Sequence, residues 1–376
     1  GLDVQDRAEG GAGPEPPTRR GSSRVPAEAG RRNGAGTIHA GYRGFTTPWD
    51  VLPTLEATRN LLLPSTGGRM PGVTLHLVLA DRALDAWRRE RAAPFDLDDP
   101  DVTNAFHHGA VGPDLGYFPG GDRSLSDLAH CLRTGALART LVRSARTCRE
   151  RAFAWGWVTH VLADQAIHPW IGRGVGELVH GDRDRFVDGS SDLLSHLRVE
   201  MGVDAWYYAR HPSVRRRRLR PVFPGPEIDF LVAAYASTYG VSFHSRTFRR
   251  SHLAAGRRAG QALATLRLVH ALMGDRHGSA ILPRVGRGLR ALYRVGALRN
   301  ATLAYLTPIL PSPWLLEGVA REMERHTRRF VESVEAEADD LLDWNLDTGQ
   351  PLSTQRHHPG TERARAAVAA RAGRVG

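Results

Sequence analysis

Beyond residue 70, apolar residues recur every three to four positions over most of the chain, which places them on one face of a helix. Leu75, Leu79, Ala83 and Trp87 repeat in this way behind Thr74, a serviceable N-cap. Ser124-Leu-Ser-Asp127 reads as a capping-box variant opening the next helix. A long apolar helix is expected over residues 148–171 and another over 192–210. Residues 212–226 form a break with a proline at each end and the run Arg215-Arg-Arg-Arg218 inside it, which reads as a solvated linker. Helical periods return over 228–243, 252–273, 282–295 and 314–346. Strand-like alternation with hairpin turns does not recur, so the expected fold is all-α.

The ends read differently. Residues 1 to 45 are rich in Gly, Pro, Ser and Arg with almost no apolar period, and are expected to be disordered. A short apolar segment over 51–63 follows, and the first methionine is Met70. The expected organisation is a linker or upstream extension over 1–69, a native start at Met70, a helical domain over 70–346 and a flexible tail over 347–376.

Composition narrows the class. A chain of 376 residues, 41% hydrophobic, can bury a core without disulfide or metal staples. Two cysteines, Cys131 and Cys148, exclude a disulfide framework and a zinc-finger array, and read as small core residues. The absence of an apolar run of roughly 18 residues and of a signal-like start makes a reduced, cytoplasmic protein the default expectation. The formal charge is +11, and every one of the 51 basic residues is arginine, a pattern that reads first as nucleotide-composition bias. A basic surface would still attract phosphate-bearing groups, including the head groups of an anionic membrane in peripheral contact. Without interleaved aromatics, no specific nucleic-acid partner is expected. P-loop, dinucleotide-glycine and nucleophile-elbow motifs are absent.

Histidine is the unusual residue. Eight of the 17 lie between His76 and His196. Residues four apart share a helix face, and four histidines have a carboxylate at that spacing, roughly twice the chance number. Context separates them. His160, Asp164 and His168 form one stripe on a helix that is otherwise strongly apolar, with Phe153, Trp155, Trp157, Val161 and Leu162 around them. Burying such groups is costly unless they are paired or bound to metal. Both outcomes, a buried polar network and a metal site, fit the spacing. His196 and Glu200 repeat the pair on the next long helix. His180/Asp184 lies in a charged stretch that reads as solvated loop, and His358/Glu362 lies in the polar tail. His107-His108 reads as a solvated helix end, with a place in a cleft as its alternative. Tyr117 and Phe118 could line a substrate site or pack in the core. Imidazole and carboxylate ligands without thiolates suit Zn, Mn or Fe acting on hard, phosphate-like substrates.

The order Thr74-Leu-His76, Gly112-Pro-Asp114, Leu128-Ala-His130, His160-x3-Asp164-x3-His168-Pro169 and His196-x3-Glu200 resembles the bacterial zinc-dependent phospholipase C family. The resemblance covers residues 70 to about 205, and more weakly the helices beyond. It implies an all-α fold with two or three Zn2+ ions in a cleft between helices, and hydrolysis of phosphodiester bonds in phospholipids. It also implies ligand sets. Asp114, His130, His160 and Asp164 would hold one zinc. His168, His196 and Glu200 would hold a second, and His76 with a bridging Asp164 a third. Asp114 would also orient the attacking water, and Tyr117 and Phe118 would contact substrate. The same fold occurs in single-strand-specific zinc nucleases, and a non-catalytic metal-binding scaffold is a further alternative. The secreted members use their terminal amino group and a terminal tryptophan at the third zinc, whereas 75 residues precede His76 here.

Overall fold

A computed structural model describes residues 72–90, 93–118, 120–217, 219, 227–256 and 309–373. The expectations for residues 1–69, for a start at Met70, and for helices over 257–273 and 282–295 lie outside the described residues.

The described helices are α1 (Val73–Glu90), α2 (Pro100–Ala110), α3 (Arg123–Cys131), α4 (Thr134–Ser144), α5 (Cys148–His180), α6 (Leu193–Arg210), α7 (Pro212–Arg216), α8 (Glu227–Tyr239), α9 (Pro313–Glu335) and α10 (Pro359–Ala372). A further helical stretch covers residues 245–256. A 3-10 turn, Pro113–Gly116, joins α2 to α3, and a two-stranded antiparallel hairpin, β1 (Trp344–Asn345) and β2 (Gln350–Pro351), precedes α10. The fold is all-α, as the periodicity implied.

The longest helix organises the rest. α5 starts on a capping box, in which the Thr147 hydroxyl accepts from the Glu150 amide and the Glu150 carboxylate accepts from the Thr147 amide. It ends at Gly181, whose φ of 68° closes the last turn. α1, α2, α4, α6 and α9 all pack against it. The α2 crossing is very close: a Cβ on Gly156 would stand 2.0 Å from the Phe106 carbonyl oxygen, and one on Gly109 would stand 2.0 Å from that of Phe153. Only glycine permits two backbones to approach so closely.

The core has two parts. Trp87, Phe106, Phe153, Trp157 and Phe330 belong to one, while Leu77, Ile167, Ile171, Tyr208 and Leu315 belong to the other. The His160–His168 stripe of α5 lies along the stretch where these clusters meet.

Several local expectations are corrected. α3 is capped by Asp122, whose carboxylate accepts from the Ser124 amide, because the chain enters the helix one residue before Ser124. α5 runs on through Pro169 to His180 rather than stopping near 171. Proline has no N–H to give the Gln165 carbonyl. The hairpin packs there instead, with Gly349 at φ 63° against the Pro169 ring. α9 stops at Glu335, before positive-φ residues Glu337 and Ala338 and the hairpin. The stretch from 347 read as a flexible tail holds β2 and α10, which packs on α3 through the Arg363–Asp127 ion pair at 3.0 Å. Within the 212–226 break, Arg217 is only partly exposed: it pairs with Asp81 and reaches His107. Cys131 is buried, but Cys148 is exposed at the first turn of α5.

Candidate metal centre

The site is assembled from five elements. His76 comes from α1, Asp114 from the 3-10 turn, His130 from α3, His160, Asp164 and His168 from α5, and His196 and Glu200 from α6. Seven of the eight are buried, and His168 is only partly exposed.

Asp164 is the hub. Its Oδ2 lies 3.0 Å from His160 Nε2 and 3.6 Å from His130 Nε2. Its Oδ1 lies 3.3 Å from His76 Nε2 and 3.9 Å from His168 Nε2. Asp114 Oδ1 is 3.1 Å from His130 Nε2. Glu200 reaches His168 Nε2 at 3.9 Å and His196 Nε2 at 4.0 Å, joining α6 to the cluster. Among the eight cleft residues, two groups are tight enough for a shared ion: His76, His160 and Asp164, and Asp114, His130 and His160. His160 therefore belongs to both.

The backbone orients three of the rings. The Nδ1 atoms of His130, His160 and His168 face the carbonyl oxygens of Ser126, Ala110 and Leu346. With Nδ1–H donated there, each ring presents Nε2 to the cleft. His160 Nε2 and His130 Nε2 then stand 3.4 Å apart with no proton of their own to share. Both Asp114 oxygens are buried, and the ring nitrogen facing Oδ1 is His130 Nε2 at 3.1 Å. Lone pairs so close in a dry interior require a positive charge among them, either protons or a metal ion. The donor set fits zinc, which takes imidazole nitrogen and carboxylate oxygen.

The electrostatics agree. Burial works against a charged His130, but the hydrogen bond and charge of Asp114, with Asp347 and Asp164, carry it up to about 9. Burial opposes charging of His168 as well, and Asp164 and Glu200 carry it up to about 10. Against its own burial, Asp164 is held far below the usual carboxylate range by His160, His168 and His76. Burial raises Asp114 and depresses His76.

The cluster faces a cleft of about 420 Å³, part of it open to solvent, whose walls include Tyr117, Leu193, Leu197 and Asp347. Tyr117 stacks obliquely 5.0 Å from His130 and donates its hydroxyl to Asp127. Phe118 does not line the cleft; it is 1% exposed and packs in the core with Leu115 and Val111. His107 and His108 are buried rather than solvated, and neither faces the cleft. His107 is engaged by Asp81 at 2.8 Å and by the Thr103 carbonyl.

Two carboxylates escaped the sequence reading. Asp347 reaches the cleft from the hairpin turn. Asp204, one turn beyond Glu200 on α6, accepts the Thr74 and Leu75 amides at 2.9 Å each and so caps α1 from across the fold. Gly72 N–H likewise donates to Glu200 at 3.0 Å. The i+4 spacing of Asp204 from Glu200 was the signal available for it.

Residues 75–239 match the family described as zinc dependent phospholipase C. The resemblance carried by the ordered motifs is thus shown over that segment, which contains all eight ligand-type residues. No curated protein and no solved structure matches the chain. Among the described residues, no helix is long and apolar enough to cross a membrane.

Proposed function

We propose, starting from a segment of the zinc-dependent phospholipase C family that carries every ligand-type residue of the cleft, that this chain is a hydrolase of phospholipid phosphodiester bonds. The observation that carries the reading is the set of backbone-fixed imidazoles turned toward Asp164 and Asp114 in one buried cleft.

Two or three Zn2+ ions would be held by Asp114, His130, His160 and Asp164, by His168, His196 and Glu200, and by His76 with Asp164. Bound zinc supplies a Lewis acid and brings the pKa of a coordinated water toward about 7. The chain does the rest. The Ser126, Ala110 and Leu346 carbonyls hold three imidazoles in one tautomer. Asp114 sits on a rigid Gly-Pro turn between α2 and α3, where its carboxylate can orient a water and take its proton. Tyr117 forms one wall at the cleft, beside His130. The buried walls limit bulk water at the reacting centre.

The test is paired. Purified protein is expected to hold two or more zinc equivalents and to release a phosphorylated head group from phospholipid vesicles. Asp114→Asn should retain the fold and lose that release. Cleavage of single-stranded DNA or RNA in place of lipid would move the substrate to nucleic acid. Metal binding with neither activity would make the protein a scaffold, and absence of metal would overturn the site. The basic surface supports peripheral contact with an anionic membrane, checked by co-sedimentation with anionic against zwitterionic vesicles.

A further inference from the structure

We infer that Cys131, Asp347 and His358 form a second metal site, separate from the cleft ligands, which takes a zinc-like ion and ties the hairpin and α10 to the helix that carries His130. The three side chains come from the last residue of α3, the turn between β1 and β2, and the N-cap of α10. All three are buried, and one ligand atom from each lies within 4.8 Å of the others. Cys131 Sγ is 3.7 Å from Asp347 Oδ2. Gly360 leaves the room: a Cβ there would stand 2.6 Å from that sulfur.

His358 points to the ligand. It is 7% exposed, and its Nδ1 accepts the Gly360 amide at 3.1 Å. Its Nε2 is buried 3.8 Å from the Asp188 carboxylate, which the hydrogen bond and charge of this imidazole hold well below the usual carboxylate range. A buried thiol and carboxylate grouped with this imidazole, and a second carboxylate at its far nitrogen, gather negative charge that a cation would balance. Metal uptake at Nε2 moves the ring proton to Nδ1, exchanges the Gly360 bond for a metal bond and releases the thiol proton. Asp188 is near enough to serve as a fourth ligand. Thiolate, imidazole and carboxylate together suit zinc, whereas magnesium and calcium prefer oxygen alone. The cleft ligands contain no sulfur, so the two sites differ in chemistry. They differ in origin too, because Asp347 and His358 lie outside the family-matched residues 75–239.

Cobalt loading of the full chain distinguishes them. Cobalt bound to sulfur gives a charge-transfer absorption in the near ultraviolet, which the cleft cannot produce. The expected result is one equivalent with this absorption, lost in Cys131→Ser and strongly weakened in His358→Asn, where asparagine still caps α10. Cys148→Ser should leave it unchanged, and Asp164→Ala should leave it unchanged while removing cleft cobalt. No sulfur band in protein that binds cobalt in the cleft, or a band that follows Cys148, would overturn the site.

Discussion

Asp164 Oδ2 lies 3.0 Å from Nε2 of His160, one helical turn earlier on α5, while its other oxygen faces His76 on α1. One carboxylate thus lies between α1 and α5, and its Oδ2 is also 3.6 Å from His130 of the neighbouring ligand group. Asp164→Ala is expected to lower zinc content more than any other single ligand change, by more than one equivalent. His168→Ala should remove about one. Elemental analysis after dialysis measures both, and equal losses would argue against bridging.

Protons and zinc compete for the same nitrogens. In the metal-free protein His130 is raised to about 9 and His168 to about 10, so both hold protons at neutral pH that metal must displace. Zinc affinity should therefore increase with pH up to about 10, and more steeply below about 9. Displacement of two protons gives a slope of roughly 100-fold per pH unit below that range, and displacement of one roughly tenfold. Competition titrations with a chelator from pH 6 to 9 read the slope; a flat profile would mean that neither ring is protonated in the empty site.

The contact between α2 and α5 sets the geometry of the site. Gly156 and Gly109 bring the backbones together, and His160 Nδ1 bonds the Ala110 carbonyl at 2.9 Å across the same crossing. Gly156→Ala should push α2 away. It is expected to destabilise the fold by about 1–3 kcal/mol or more through overpacking of backbone against backbone. Zinc affinity should fall with it, because the carbonyl that fixes the His160 tautomer moves. Thermal melts with and without zinc separate these two effects.

The helical stripe was legible because period alone places His160, Asp164 and His168 on one face of an apolar helix, and the same spacing marked His196 and Glu200. The all-α class followed from the same period. What period cannot show is which backbone carbonyl lies under a ring, so the Ser126, Ala110 and Leu346 bonds had no sequence signal. Asp347 was hidden for a related reason: it reaches the cleft from a short hairpin placed by long-range contacts, with Pro169, Thr134 and the His130 carbonyl among them. α10 is rich in Ala and Arg with little apolar face, and is held by ion pairs such as Arg363–Asp127, so it resembled a tail. Phe118 was ambiguous in sequence because both cleft and core accept an aromatic next to Tyr117.

Asp204 is a long-range cap whose removal should act through α1. Replacing it by alanine leaves the Thr74 and Leu75 amides buried without an acceptor, an expected loss of roughly 2–3 kcal/mol. His76 follows Leu75 directly, so the ion it would share with Asp164 should be the first lost on dialysis. Denaturant unfolding and zinc stoichiometry check the two parts. Full zinc content with unchanged stability would show that α1 is held without this carboxylate.

Asp114→Asn separates binding from chemistry. The amide keeps the size and one oxygen of the carboxylate, and the Gly-Pro turn that carries it does not depend on its charge. The buried neighbours His130 and His160 should still hold metal, since Asp164 lies 3.0 Å from His160 and 3.6 Å from His130. An asparagine cannot take a proton from water. Phosphodiester turnover is therefore expected to fall by roughly 10²- to 10⁴-fold, the usual range for loss of a positioned base, with a smaller change in zinc content. A turnover rate within a few-fold of the parent would assign proton acceptance to another group in the cleft, and Asp347 would be the next carboxylate to replace.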